Sequence, residues 1–244
     1  MLVFDRRRLT MNTVDFHDLG RMPFKESWEL QAAIQNRLIG EKIAEQEGKL
    51  EKPRSNDVLI LVEHDHVFTL GKSGKFSHLL KSKKELTELN AEFVMIDRGG
   101  DITYHGPGQI VGYPIMDLSR YFTDIHKYLR YLEEIVILTC ADYNIKAGRI
   151  QGLTGVWVDN AKIAAFGVRC SRWVTMHGLA LNVNTDLDFF NHIVPCGIID
   201  KKVTSLKELS GRTINMEEVK YRIKKNFEKV FNVTLQNRRI FQEV

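Results

Sequence analysis

Three stretches of the chain have apolar residues spaced at about 3.6 positions, which is the period of an amphipathic helix. In residues 27–47 the apolar positions are Trp28, Leu30, Ile34, Leu38, Ile39 and Ile43. Residues 123–142 follow the same pattern behind a capping Thr123, and a third helix follows Asn215, which forms a capping arrangement with Glu218. A short helix is also predicted in "SKKELTELN". The chain therefore contains several helices that each bury one face.

Other stretches are short apolar runs bounded by turn residues, which is typical of buried strands. They are "DVLILVEH" (57–64), "VFTL" (67–70), "FVMID" (93–97), "IVGYPIM" (110–116), "HGLALNV" (177–183) and "NVTLQ" near the C-terminus. "GVWV" (155–158) and "KIAAFGVR" (162–169) form a predicted hairpin with its turn at residues 159–161. Because hairpins exclude a purely parallel sheet, we predict an α/β (α+β) fold with a mixed β-sheet flanked by helices.

Composition narrows the class of protein. The 244 residues carry a net charge of +4, too small to argue for nucleic acid, and no basic stretch is interleaved with aromatics. Three widely spaced cysteines indicate a reducing compartment, and no apolar run approaches the ~20 residues of a membrane span. We expect a cytoplasmic protein, with residues 1–13 as an extension and residues 14–244 as one domain.

Two residues stand out as candidates for covalent chemistry. Cys196 lies in "HIVPCGI" between a proline that fixes the backbone and a glycine that leaves room for an approaching group. Lys162 opens the apolar strand "KIAAFGV". A lysine near a thiol favours the thiolate and can shuttle a proton. The alternatives are a cysteine that packs as a small hydrophobe and a lysine that extends into solvent.

The remaining histidines and cysteines carry weaker signals. His105 and His177 both precede glycine at strand ends, where structural histidines are also common. His64 and His66 in "EHDH" would share one face of a strand, but no further ligands cluster with them, so we predict no metal site. Cys140 and Cys170 are interpreted as packing residues. Neither GxxxxGK[ST] nor GxSxG occurs.

The stretch "RGGDITYHGPGQ" (98–109) places a short predicted strand between two glycine-rich turns. Together with "GVWVDNAKIAAFGVRCSRWVTMHGLALNV" and "HIVPCGI", it resembles the signature blocks of the lipoyl(octanoyl) transferase family. The resemblance extends from about residue 14 to residue 210. It implies a fold like the catalytic domain of biotin and lipoate protein ligases.

The resemblance also implies an activity. Members of that family move an octanoyl group from acyl carrier protein to a lysine of lipoyl domains, in 2-oxoacid dehydrogenases and the glycine-cleavage H protein. It implies Cys196 as nucleophile, Lys162 as its partner, and no cofactor or metal. Acyl-binding residues would be Arg98, Gly99, Gly100, Asp101, Ile102, Thr103, Tyr104, His105, Ala165, Phe166, Gly167, Gly178, Leu179 and Ala180, with His177 and Gln109 in support. We expect a monomer that binds neither nucleic acid nor membrane.

Three rival functions are left open by the sequence. An ATP-dependent lipoate or biotin ligase would share the scaffold, but it would form an acyl-adenylate and need no cysteine. An amidotransferase would move octanoyl between lipoyl domains, again through a cysteine. A non-catalytic module would bind the acyl chain or the carrier protein without turnover.

Overall fold

The computed structural model describes residues 12–194 and 202–238 of the chain. In this part of the chain the strands form one large and one small sheet. The strands are β1 (Asn12–Arg21), β2 (Asp57–Glu63), β3 (Val67–Leu70), β4 (Glu92–Met95), β5 (Ile102–His105), β6 (Gln109–Ile115), β7 (Val156–Val158), β8 (Ala161–Ser171), β9 (Val174–Asn182), β10 (Lys202–Val203) and β11 (Val233–Asn237).

Both sheets are mixed. The large sheet has the order β10-β8-β9-β6-β2-β1-β11, with β7 also paired to β8. Its β10–β8, β2–β1 and β1–β11 pairs are parallel, whereas β8–β9, β9–β6, β6–β2 and β7–β8 are antiparallel. The small sheet has the order β4-β3-β5, with one parallel and one antiparallel pair. The predicted mixed α/β class is therefore confirmed.

Helices cover both faces of the large sheet, and one short helix packs against the small sheet. They are α1 (Phe24–Gln46), α2 (Lys83–Glu88), α3 (Ile125–Ala141), α4 (Leu206–Ser210) and α5 (Met216–Phe231). Along β2, Val58, Ile60 and Val62 pack on the α1 side, while Leu59 and Leu61 face the core shared with α3 and α5. A strand buried on both faces has no polar alternation, which explains the continuous apolar run in the sequence. Among the described residues, no helix is long and apolar enough to cross a membrane.

Helix α1 differs from its prediction in the residues that it buries. Ile34 and Leu38 are buried as expected, but the same face also buries Ser27, Gln31 and Gln35. The two glutamines serve the backbone of β9, since Gln31 Oε1 accepts from the His177 amide and Gln35 Nε2 donates to the Val174 carbonyl. Hydrogen bonding to the adjacent strand therefore compensates the burial of the Gln31 oxygen and the Gln35 amide group.

Several local predictions need correction. The helix cap is Asp124 rather than Thr123, because Asp124 Oδ1 accepts from the amides of His126 and Lys127. Ala161 belongs to β8 and pairs with Val158, so the hairpin turn is one residue shorter than predicted. Cys140 is buried as expected, but Cys170 is exposed because β8 extends past the core at that point.

Strand β1 was not predicted. Its Asp15 and His17 are buried beside Val14 and Phe16, so the residues do not alternate as a half-buried strand should. The side chain of Asp15 accepts from Asn56 and Gln236. Partners on two other parts of the chain therefore satisfy a carboxylate that the sequence alone assigns to the surface.

Candidate active site

A cavity of about 520 Å³ lies between the two sheets. One wall is formed by β8 and β9, and the opposite wall by residues 96–105, which connect β4 to β5 and include β5. The Gly99 amide donates to the Val168 carbonyl over 2.9 Å and so joins the two walls. The volume is in the ~300–1,000 Å³ range of small-ligand sites.

The β8–β9 wall is smooth because small residues face each other across the two strands. Ala165 pairs with Ala180, and Gly167 pairs with Gly178. A Cβ atom on Gly167 would lie 2.9 Å from both the Arg98 side chain and the Gly99 carbonyl. Glycine is therefore required at 167 for the opposite wall to approach so closely.

The opposite wall is polar, and its side chains are held by residues outside the cavity. Buried Arg98 donates from Nη2 to the carbonyl and hydroxyl oxygens of Thr69 over 2.7 and 3.0 Å. Asp101 pairs with His78 over 2.7 Å and accepts from the Ile102 amide. Gly100 between them has φ +90°, a conformation in which a side chain would be strained. This wall is accordingly a rigid arrangement of polar groups.

His105 is a neutral imidazole with a defined tautomer. Burial lowers its pKa from 6.5 to about 3, and Phe24 stacks on the ring with centroids 6.0 Å apart. Gln109 Nε2 donates to the Tyr104 carbonyl and to Asn182 Oδ1, so Gln109 Oε1 accepts from His105 Nδ1 over 2.7 Å. Nδ1 therefore carries the proton, and Nε2 is an acceptor.

His177 is held in a similar way. Burial lowers its pKa from 6.5 to about 4 even though its Nε2 lies 3.1 Å from the Asp97 carboxylate. A neutral ring with a carboxylate at Nε2 carries its proton on Nε2. Asp97 also pairs with Arg169 over 2.6 Å. The backbone of His177 has φ 62°, a strained value for a non-glycine residue of the kind found at functional sites.

Lys162 lines the same cavity from the beginning of β8. Its Nζ lies 4.8 Å from the centroid of the Trp157 ring, which faces it across the β7–β8 hairpin. Its backbone carbonyl accepts from the Thr204 amide over 3.0 Å, directly after β10. The side chain is half-buried with its Nζ beside the aromatic ring, and the short strand β10 holds its backbone.

Cys196 lies outside the described residues. The described residues on either side of segment 195–201 are nevertheless fixed. The Val194 amide donates to the His78 carbonyl, and Lys202–Val203 pairs with Ala161–Lys162. Phe190 and Val203 both line the cavity. The chain therefore lines the cavity at Phe190, before this segment, and at Val203, after it.

Most of the other residues predicted from the sequence lie together. All of the predicted acyl-binding residues line the cavity except Tyr104, and His177 lines it too. The Tyr104 side chain bonds to His66 and stacks on Phe189 in the core of the small sheet. Gln109 is not in the lining and acts on it only through His105.

Two residues with evident roles were missed at the sequence level. Asp97 orients His177 across 80 positions of the chain, and Asn182 orients Gln109 across 73. Such distant pairs leave no local pattern in a single sequence. The role of Trp157 could have been inferred from the sequence, because the predicted hairpin already places it near Lys162.

The two histidines of the "EHDH" stretch do not form a common site. His64 and His66 lie between β2 and β3 and bond to Tyr113 and Tyr104, respectively. Burial lowers the pKa of His64 to about 4. Among the described residues, no group of three or more His, Cys, Asp or Glu side chains could hold a metal ion.

Comparison with known proteins shows which family model and which relatives this chain matches. Residues 26–228 match the model of the lipoyl protein ligase A/B catalytic domain. A protein from Cytophaga hutchinsonii named octanoyltransferase is 50% identical over 235 residues, 93% of this chain and 96% of its own. An octanoyltransferase from Christiangramia forsetii is 53% identical over 229 residues, 91% of this chain and 97% of its own.

Solved structures share the fold at much lower identity. A bi-partite lipoate protein ligase from Thermoplasma acidophilum superposes with a TM-score of 0.68 at 14% identity, over 96% of this chain and 88% of its own. Lipoate-protein ligase A bound with ATP gives a TM-score of 0.70 at 12% identity, over 96% and 90%. The predicted ligase-like catalytic fold is therefore confirmed.

Proposed function

Because the chain belongs to the lipoyl protein ligase A/B catalytic-domain family and is an acyltransferase, we propose that it transfers an octanoyl group through a thioester on Cys196. The donor is octanoyl-acyl carrier protein. The acceptor is a lysine of lipoyl domains, in 2-oxoacid dehydrogenases and the glycine-cleavage H protein. The reaction belongs to lipoate biosynthesis, and we assign it to the cytoplasm.

One observation carries this proposal. Lys162 lies in the wall of the same cavity as nearly all of the predicted acyl-binding residues, although they come from three separate parts of the chain. The described residues on both sides of the Cys196 segment reach that cavity as well. A proton acceptor, an apolar cleft and the chain that carries a thiol are the components that acyl transfer through cysteine requires.

In the first step, the neutral amine of Lys162 takes the proton of the Cys196 thiol. The thiolate attacks the thioester carbonyl carbon of the donor, and a new sulfur–carbon bond forms as the bond to the donor sulfur breaks. The departing thiolate takes the proton from the Lys162 ammonium. One thioester replaces another, so this exchange is nearly balanced in free energy.

In the second step, the amine of the acceptor lysine attacks the acyl-cysteine carbonyl carbon. Lys162 accepts the proton that the amine loses, and it returns the proton to the departing Cys196 thiolate. Since an amide is more stable than a thioester, this step is downhill and requires no ATP or other cofactor. After both steps, Lys162 and Cys196 have the same protonation states as at the start.

The smooth wall supplies binding free energy for the acyl chain. Ala165, Ala180 and the paired glycines leave space along β8 and β9, with Leu179 and Phe166 as apolar surface. Each buried methylene contributes about 0.8 kcal/mol, so the six methylenes of an octanoyl chain contribute on the order of 5 kcal/mol. The polar wall then acts on the carbonyl end of the substrate.

The test is the mass of the intact protein after incubation with octanoyl-acyl carrier protein. We expect an octanoyl adduct that hydroxylamine removes and that disappears when lipoyl domain is added, without ATP. Cys196→Ala should abolish both the adduct and the transfer, whereas Cys170→Ala, which removes an exposed thiol, should leave them intact. Transfer by Cys196→Ala at the wild-type rate would refute the assignment of the nucleophile.

A further inference from the structure

One short stretch beside the cavity is rich in lysine. Residues 71–84, here called the lysine-rich segment, contain five lysines (Lys72, Lys75, Lys81, Lys83 and Lys84) and no acidic residue. The whole chain has a net charge of +4, so the other 230 residues together have 4 − 5 = −1. A group of exposed lysines beside a binding cleft is a feature of electrostatic docking sites.

The segment contacts the cavity wall at its start and the chain that precedes residue 195 further along. At its start, the amides of Gly71, Lys72 and Ser73 donate to the carbonyls of Asp101, Arg98 and Gly100, which belong to the polar wall of the cavity. Further along, the Leu80 amide donates to the His192 carbonyl, and the His78 carbonyl accepts from the Val194 amide. The segment therefore spans the distance between the cavity wall and the chain that leads to Cys196.

Its side chains are available to a partner. Lys72, Lys75 and Lys83 are exposed, and none of them has an ion-pair partner within residues 12–194 and 202–238. Lys81 and Lys84 face Glu85 and Glu88. Phe76 is 64% exposed and Leu80 is 54% exposed, so two large apolar side chains lie at the surface among the lysines. Exposed apolar residues within a charged rim are typical of protein interfaces.

We propose that the lysine-rich segment docks the acyl donor, an acidic carrier protein, with Phe76 and Leu80 as apolar contacts. This proposal rests on the function proposed above. A positive rim attracts an acidic partner, and the segment connects the polar wall of the cavity with the chain that leads to Cys196, where the donor must deliver its acyl group. We therefore assign the segment to the donor rather than to the lipoyl domain.

Direct binding tests this without relying on turnover. The probe is a labelled carrier protein that holds octanoyl as an amide, which cannot be transferred. Lys72→Gln/Lys75→Gln should weaken its binding about tenfold at low salt, with a smaller loss at physiological ionic strength. The matched control is Lys146→Gln/Lys229→Gln, which removes two exposed lysines elsewhere and should change the dissociation constant less than about twofold.

A second pair of variants tests the apolar contact. Phe76→Ser should weaken binding of the same probe by a factor similar to that of the lysine pair. Tyr221→Ser, which removes a 53% exposed aromatic side chain from α5, should have no effect. In turnover assays the Lys72/Lys75 variant should raise KM for octanoyl-carrier protein and leave KM for the lipoyl domain and kcat unchanged.

The outcomes separate the two proposals. Wild-type binding by Lys72→Gln/Lys75→Gln, or a raised KM for the lipoyl domain in place of the carrier protein, would overturn the docking proposal while octanoyl transfer stands. Charge-dependent binding of the probe by a wild-type protein that forms no octanoyl adduct would leave docking intact and refute the transfer mechanism.

Discussion

The two walls of the cavity are built on different principles. On β8 and β9 the surface is flat because the residues are small: Ala165 faces Ala180, and Gly167 faces Gly178. On residues 98–105 it is defined by polar side chains, each fixed by a partner elsewhere: Arg98 by Thr69, Asp101 by His78 and His105 by Gln109. The first wall can select a substrate by shape, and the second can orient its polar end.

Lys162 lines the cavity at the beginning of β8, and its loss should have the largest effect. Lys162→Ala should lower kcat/KM for octanoyl transfer by about 10²–10⁴-fold, the usual contribution of general acid–base catalysis. Lys162→Arg should fail almost equally, because arginine keeps the charge but does not release its proton. The control is Lys202→Ala, which removes an exposed lysine from the adjacent strand and should retain activity.

The pH dependence of stability tests the buried histidines in and next to the cavity. His64, His105 and His177 have folded pKa values of about 4, about 3 and about 4, below the 6.5 of the unfolded chain. The unfolded state therefore binds more protons below pH 6.5, so stability is lost as the pH falls through this range. At pH 5.5 the three groups together cost up to about 4 kcal/mol relative to pH 7.5.

Urea unfolding at the two pH values measures this loss. His105→Gln should reduce the difference between them by about a third, because one of the three groups no longer titrates. His126→Gln removes an exposed histidine from α3 and should leave the difference unchanged. Equal stability of the wild-type protein at both pH values would contradict the burial of neutral histidines.

Filling the smooth wall should change which acyl chain fits. Ala165→Leu adds three carbons opposite Ala180, so octanoyl transfer should fall about 10- to 100-fold, while a hexanoyl donor should lose little. The ratio of kcat/KM for the two donors measures the effect. Ala33→Leu, an exposed position on α1, is the control. An unchanged ratio would show that the acyl chain does not lie along β8 and β9.

The smallest effect is expected from the residue that orients His105. Gln109→Met removes the acceptor of the Nδ1 proton and should lower kcat/KM about five- to tenfold, the value of one buried hydrogen bond. If Gln109 acts by positioning, kcat should fall more than KM rises, and the pH profile of kcat should shift. Gln46→Met, at an exposed position at the end of α1 and outside the lining, is the control and should do neither.

Local sequence patterns predicted many elements of this fold, but not the elements that depend on contacts between distant residues. The apolar runs of β2 and β3 and the capping Asn215 of α5 depend on neighbouring residues, so a single sequence reveals them. Strand β1 was missed because its buried Asp15 is satisfied by Asn56 and Gln236, which are distant in the chain.

The candidate site divides in the same way. Gly167 and Lys162 stand in motifs that can be read directly, and both lie where the family resemblance led us to expect a cavity. Asp97 and Asn182 act through hydrogen bonds that exist only after the chain has folded. The exposure of Cys170 at the end of β8 is likewise a property of the folded chain. Partners that are fixed by tertiary contacts cannot be inferred from spacing.

Photo-crosslinking tests the central claim most directly, namely that the acyl chain lies between the two walls. Carrier protein loaded with an octanoyl chain that ends in a diazirine would be incubated with the wild-type protein, irradiated and digested. We predict crosslinks in peptides that contain residues 165–168 or 177–180, and their loss in Ala165→Leu. Crosslinks confined to surface peptides such as α5, with none from β8 or β9, would contradict the account.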